Sequence, residues 1–169
     1  MPKKNLKMKF VFLLSMLMSL FGCRDANGEK PEGPFKYYEY RSTTMREYPH
    51  EYYRLEDSEE DGLTLSWARC NSPITVIRVP ETAARQVTAL IEQYKLYKLA
   101  KSYTPPFDVR DGIMWHVYFA FGKSHTSCSA DNAWPPKDLR DGIDAVNAFF
   151  GELIDASQET DIIRVIDNR

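Results

Sequence analysis

From Lys36 onward the apolar positions change period along the chain, and each change predicts an element. "KYYEYRSTTMREY" and "EYYRLE" alternate aromatic and polar residues, bounded by Pro49 and the acidic turn "EDSEEDG", which is the pattern of short strands. "LTLSWARC" and "ITVIRV" alternate in the same way, with Asn71, Ser72 and Pro73 as the hairpin turn between them. At Pro80 the period switches from two to about 3.6. Val87, Leu90, Ile91 and Tyr94 recur on one face, predicting a helix over residues 80–101 with proline at its start. The prolines of "TPPFDVRDG" forbid its continuation.

"IMWHVYFAFG" then alternates Ile113, Trp115, Val117, Phe119 and Phe121 against a mixed face, predicting a central strand with "KSHTSCSA" as its partner across a turn at Gly122. "DNAWPPKDLRDGIDAVNAFFGELI" places Leu139, Ile143, Val146, Phe150 and Leu153 on one helical stripe, and Ile162 to Ile166 predicts a last short strand. Strands, helix, strands, helix is the order of an α+β domain: a mostly antiparallel sheet with two amphipathic helices packed on one face. No period of 20 to 50 residues repeats. "RDGI" occurs at Arg110 to Ile113 and at Arg140 to Ile143, once before a strand and once inside a helix, and reads as coincidence.

Upstream of that domain the pattern is different in kind. The apolar run from Phe10 to Phe21 has twelve residues, whereas a membrane-spanning helix needs about 20. Four lysines (Lys3, Lys4, Lys7, Lys9) precede it without an acidic residue, the order of a secretory signal. Leu20, Phe21, Gly22 and Cys23 follow, and this stretch resembles the lipobox of bacterial lipoproteins, with Phe21 bulkier than is usual at its position. The resemblance implies that residues 1–22 are a signal peptide removed by a type II signal peptidase, and that the Cys23 thiol carries a diacylglyceryl group. It also implies acylation of the new amino terminus, including palmitate-type chains. Two or three chains anchor stably where a single one binds marginally. Arg24 rather than Asp follows the cysteine, so the expected address is the bacterial cell envelope, at the outer membrane rather than the inner. Residues 23–35, including "RDANGEKPEGPF", are rich in Gly, Pro and charge and read as a lipidated flexible tether, leaving residues 36–169 as one globular domain.

Removing the first 22 residues changes the charge. The whole chain carries 22 basic and 24 acidic residues, and the loss of four lysines leaves 18 basic against 24 acidic, about −6. That balance argues against nucleic acid as a partner. Chemical motifs fail on inspection. "HEYYR", His50 to Arg54, begins like a zinc-protease HExxH but puts Arg54 where the second histidine belongs, and a cation cannot ligate zinc. "FGKS", Phe121 to Ser124, lacks the upstream glycine of a phosphate-binding loop, since Val117 stands there. There is no GxSxG elbow and no CxxC. The spacing of His50, His116 and His125 with Cys70 or Cys128 matches no standard metal pattern, so neither a metal site nor a cofactor is expected. A dyad of His116 or His125 with Cys128 or Ser127 is what any polar strand pair offers.

Two features remain. With Cys23 consumed by lipid, Cys70 and Cys128 are an even pair in an oxidising compartment. They form a candidate disulfide provided that the strand ends bearing them lie within about 7 Å; otherwise they are separate thiols packed as small apolar residues. Six tyrosines fall between Tyr37 and Tyr53, and Trp134 precedes a helix start. Tyr38, Tyr40, Tyr52, Tyr53 and Trp134 are therefore a candidate binding surface, because such rings offer rigid contact area with a polar tip; as strand formers and core caps they have the alternative of burial. The "DGIMW" strand start and the "NAWPP" helix start are similar to small uncharacterised envelope lipoproteins of Gram-negative bacteria. The expectation is a non-enzymatic, lipid-anchored binding module, of an inhibitor or immunity type with a protein partner. The alternatives are a glycan-binding lipoprotein using a tyrosine-rich face, or a small periplasmic hydrolase with an unrecognised site.

Overall fold

The computed structural model of the protein describes residues 28–107, 109 and 112–167. The apolar run, the lipobox and Cys23 lie outside the described residues. Alternating segments form strands β1 (Phe35–Thr43), β2 (Glu51–Ser58), β3 (Gly62–Arg69) and β4 (Ile74–Arg78), followed by helix α1 (Thr82–Gln93). Strands β5 (Ser102–Tyr103), β6 (Met114–Phe121) and β7 (His125–Asp131) come next, then helix α2 (Lys137–Ala156) and strand β8 (Ile162–Ile166). The strands make one sheet in the order β5-β7-β6-β1-β2-β3-β4-β8. Every neighbouring pair is antiparallel except β5 with β7. The fold is α+β, as the pattern predicts.

Both helices cover the same face. Ala83, Val87 and Ile91 of α1 and Ile143, Val146 and Phe150 of α2 join Tyr38, Tyr40, Tyr53, Leu55, Leu65, Ile77, Trp115, Val117, Phe119 and Cys128 in one apolar core. Gly142 lets the helices approach: a Cβ there would stand 2.5 Å from Tyr94 Cβ and 2.8 Å from Leu96 Cδ2. The crossing therefore lies in the N-terminal third of the second helix, at a glycine beside the predicted stripe.

Four expectations need correction. The first helix ends at Gln93 instead of residue 101, because Lys95 turns left-handed (φ 56°) and Leu96–Lys98 continues as a 3-10 turn. Leu96, Tyr97 and Leu99 are buried there, so a non-helical segment keeps apolar residues at helical spacing and the period cannot tell the two apart. Strand β6 is interior but not central; β1 and β2 hold the middle, and β5 was not foreseen because two residues leave no periodic signal. The tether does not run to residue 35. Glu32 N donates to Ser124 Oγ (3.0 Å), Lys123 N to Glu32 O (2.9 Å) and Gly122 N to Pro34 O (2.8 Å), so residues 32–34 belong to the domain.

The fourth correction is the disulfide between Cys70 and Cys128, which are both free. Strands β6, β1 and β2 lie between β7 and β3. Four inter-strand steps of about 4.8 Å put the strands about 19 Å apart, well beyond the reach of about 7 Å that a bridge allows. Cys128 is buried in the core, and burial pushes its thiol up to about 12. Cys70 is exposed in the turn after β3.

Candidate binding face

A strand presents alternate residues to opposite sides, and the helices cover only one side of this sheet. The other side is built by Tyr37, Glu39 and Arg41 of β1, Tyr52, Arg54 and Glu56 of β2, His116 and Tyr118 of β6, and His125, Ser127 and Ser129 of β7. The registers bring them together: Glu39 stands opposite both Arg54 and Tyr118, and Arg41 opposite both Tyr52 and His116.

Aromatic rings form a row across three strands. Tyr37 and Tyr118 stack with centroids 5.1 Å apart and planes 8° from parallel, and Tyr118 stacks on His125 at 6.1 Å. Partial burial and the Tyr118 hydroxyl push Tyr37 up to about 12. Arg54 lies over the Tyr37 ring, 4.5 Å from its centroid, and holds two carboxylates. Its Nη1 donates to Glu39 Oε2 (2.8 Å), while Nε and Nη2 form a two-point pair with Glu56 (2.9 and 2.8 Å). The Glu56 pairing, helped by Glu39 and opposed by burial, holds the guanidinium charge above its ordinary range, and the same bonds hold Glu56 below the usual carboxylate value. The Arg54, Glu39 and Glu56 charges are thus satisfied within the face.

Beside this row is a groove of about 410 Å³, lined by Arg41, Tyr48, Tyr103, Met114, His116 and Asp131 among others. A smaller hollow of about 140 Å³ lies next to it, lined by Arg41, Tyr48, Pro49, Tyr52 and Ile74. Arg41 and Tyr48 belong to both, joined by a 3.5 Å contact from Nη1 to the phenol oxygen. Tyr48 and Met114 are largely exposed. His116 Nε2 is 3.3 Å from Ser127 Oγ, and burial lowers the imidazole, favouring its neutral form.

The expected binding surface is mostly misplaced. Tyr38 (0% exposed), Tyr40 (4%) and Tyr53 (2%) face the helices, and the Tyr53 hydroxyl accepts from Arg69 Nε and Nη2. Tyr52 alone of the four tyrosines is on the open side, and there Arg41 covers it, 5.3 Å from the ring centroid. Trp134 is half-buried, stacked on Trp115 at 5.4 Å with Arg140 above it at 4.4 Å. The rings that do reach outward, Tyr37, Tyr48 and Tyr118, are not among the expected ones. The signal was available: Tyr52 and Tyr53 are adjacent and cannot share a face, and Tyr37 alternates with Glu39 and Arg41 whereas Tyr38 alternates with Tyr40. A row bearing charge is the row that faces water.

Of the suspected dyads, Cys128 faces the core, away from His116, and His116 meets Ser127. His50 is paired with Glu47 in the loop before β2. No known family model matches the chain, and no curated protein is significantly similar to it.

Proposed function

We propose that the protein is a non-enzymatic docking module, anchored by lipid on Cys23 at the outer membrane of a bacterial envelope, that captures a protein partner on the helix-free face of its sheet. The observation that carries this reading is the face itself: eight strands with both helices on one side, and on the other an outward row of Tyr37, Tyr118 and His125 crossed by Arg54. Tyr and Arg dominate the energetics of protein interfaces because they bury large rigid surfaces without leaving polar groups unpaired. Arg54 reaches docking with its charge already balanced by Glu39 and Glu56, which lowers the cost of covering it.

The hydrolase reading is weaker on the same geometry. The His116–Ser127 contact is long for a hydrogen bond to a nucleophile, and it lies on strands whose backbone N–H groups serve the sheet ladder, leaving no paired donors for an oxyanion. An inhibitor or immunity module needs no such donors, only a rigid patch that blocks a partner. The glycan reading needs rings laid flat to solvent, whereas Tyr37 and Tyr118 stack on each other.

The test is capture of partners by the full-length lipoprotein from envelope extracts, identified by mass spectrometry and compared with Tyr37→Ala and Tyr118→Ala chains. A partner retained by the wild type and lost by at least about tenfold in both variants, with folding intact, supports the reading. Equal capture by all three chains overturns it. Metabolic labelling with a fatty-acid analogue, lost on Cys23→Ala, tests the anchor separately.

A further inference from the structure

At one end of the sheet the loop before β2 meets the turn after β3. Sequence spacing alone excludes a site there: Glu47 and His50 are three residues apart, but Cys70 is twenty residues further on. The fold brings them together. Cys70 N donates to His50 O (3.0 Å), extending the β2–β3 ladder by one step, and Asn71 N donates to Pro49 O (3.0 Å). Asn71 also clamps the loop with its side chain, accepting from Tyr48 N (2.5 Å) and donating to Arg46 O (3.1 Å). Thr44 Oγ1 accepts from Glu47 N (3.1 Å) and fixes the turn that presents the glutamate. Both segments are therefore positioned by backbone bonds and by the Asn71 and Thr44 side chains, and not by Glu47, His50 and Cys70 themselves.

A carboxylate oxygen of Glu47, an imidazole nitrogen of His50 and the sulfur of Cys70 all lie within 4.8 Å of one another. His50 Nδ1 contacts Glu47 Oε2. We propose that Glu47, His50 and Cys70 form a site for a divalent zinc-class ion, with the fourth coordination place open to water. The donor set is the mixture that such ions take: thiolate, imidazole and carboxylate, with soft sulfur disfavouring calcium and magnesium. Tetrahedral bonds of about 2.0–2.3 Å require donors about 3.3–3.8 Å apart. Side-chain movements of about 1 Å reach that spacing, parting His50 Nδ1 from Glu47 Oε2 so that the ion takes the place of their direct contact. Glu51 adds negative charge beside the thiol and Arg69 opposes it, so the carboxylates outnumber the cation around the site. On binding, the Cys70 sulfur exchanges its proton for the metal and the proton passes to solvent. The same event removes an exposed thiol from reaction with oxidants.

The experiment uses the full chain in detergent carrying Cys23→Ser, so that Cys70 and Cys128 are its two thiols. Titration with Co²⁺ is expected to produce a thiolate-to-cobalt charge-transfer band, displaced by one equivalent of Zn²⁺ per chain. Cys70→Ser and His50→Ala should abolish the band, and Glu47→Gln should weaken Zn²⁺ binding by at least about tenfold, since even groups behind the ligands cost about 10–100-fold. His116→Ala, on the open face, should leave the titration unchanged, and circular dichroism confirms that each variant is folded. If Cys70→Ser does not fold, His50→Gln carries the same test. Absence of the charge-transfer band, its survival in a folded Cys70→Ser chain, or its equal loss on His116→Ala overturns the proposal.

Discussion

On β1, Tyr38 and Tyr40 sit under the helices, and one residue away Tyr37, Glu39 and Arg41 stand on a side no helix covers. The two sides draw on the same residue types and use them differently. On the covered side rings pack on rings: Tyr38 against Phe119 and Phe150, Trp115 against Trp134. On the open side the rings lie beside another ring, a guanidinium or an imidazole, and Arg54 pairs with Glu39 across strands and with Glu56 along its own. Burial of apolar area stabilises at roughly 25 cal/mol per Å², whereas half-exposed ion pairs contribute at most about 1 kcal/mol. The covered side therefore carries the stability and the open side is free to be optimised for recognition.

The strongest way to break this contrast is to truncate one large ring on each side. Trp115→Ala removes a buried indole whose Nε1 donates to Ala133 O (2.8 Å), and should cost about 3–5 kcal/mol in urea unfolding. Tyr118→Ala should cost under about 1 kcal/mol while abolishing partner capture. Comparable destabilisation by the two would show that the open side is also structural. The next effect is at the helix crossing. Gly142→Ala drives a methyl against Tyr94 and Leu96 and should destabilise by about 1–3 kcal/mol in the same measurement, while Gly151→Ala, with open space around it, should not destabilise.

Acid distinguishes the sides again, because the resolved shifts of His116 and Glu56 lie on the open one. His116 is lowered by burial, with Glu39 opposing, so its neutral form is favoured by folding. Its contribution is complete above the unfolded value of about 6.5 and is lost as pH falls through the folded value. Glu56, lowered chiefly by its bonds to Arg54, contributes above about pH 4.3 and loses that contribution on further acidification. Urea midpoints measured from pH 8 to pH 3 should fall in two small steps, each under about 1 kcal/mol. The upper should vanish in His116→Ala and the lower shrink in Glu56→Gln. The smallest effect belongs to the covered side. The Tyr38 hydroxyl is buried without a hydrogen-bond partner, so Tyr38→Phe should leave stability within about 1 kcal/mol of wild type or raise it. A clear loss would mean that this hydroxyl is bonded.

The amino-acid pattern determined the elements and the class of the fold. Period-two runs marked β1 to β4, β6 and β7, and the stripe from Leu139 to Leu153 marked α2, because these depend on neighbours within one segment. It also held the assignment of sides in β1, where Tyr-Glu-Arg alternates with Tyr-Tyr-Ser, and the alternation was a better guide to the open face than the density of tyrosine. What it did not contain is anything set by strand order. Whether Cys70 reaches Cys128 depends on three strands inserted between their own, and no local preference encodes that count. The same holds for the meeting of Glu47 and His50 with Cys70, which requires the loop before β2 and the turn after β3 to end at one edge and be locked by Asn71. Periodicity is a property of the segment, because each residue's side follows from its immediate neighbours. A site assembled from distant segments exists only once the sheet has closed, because long-range pairing brings the donors within reach.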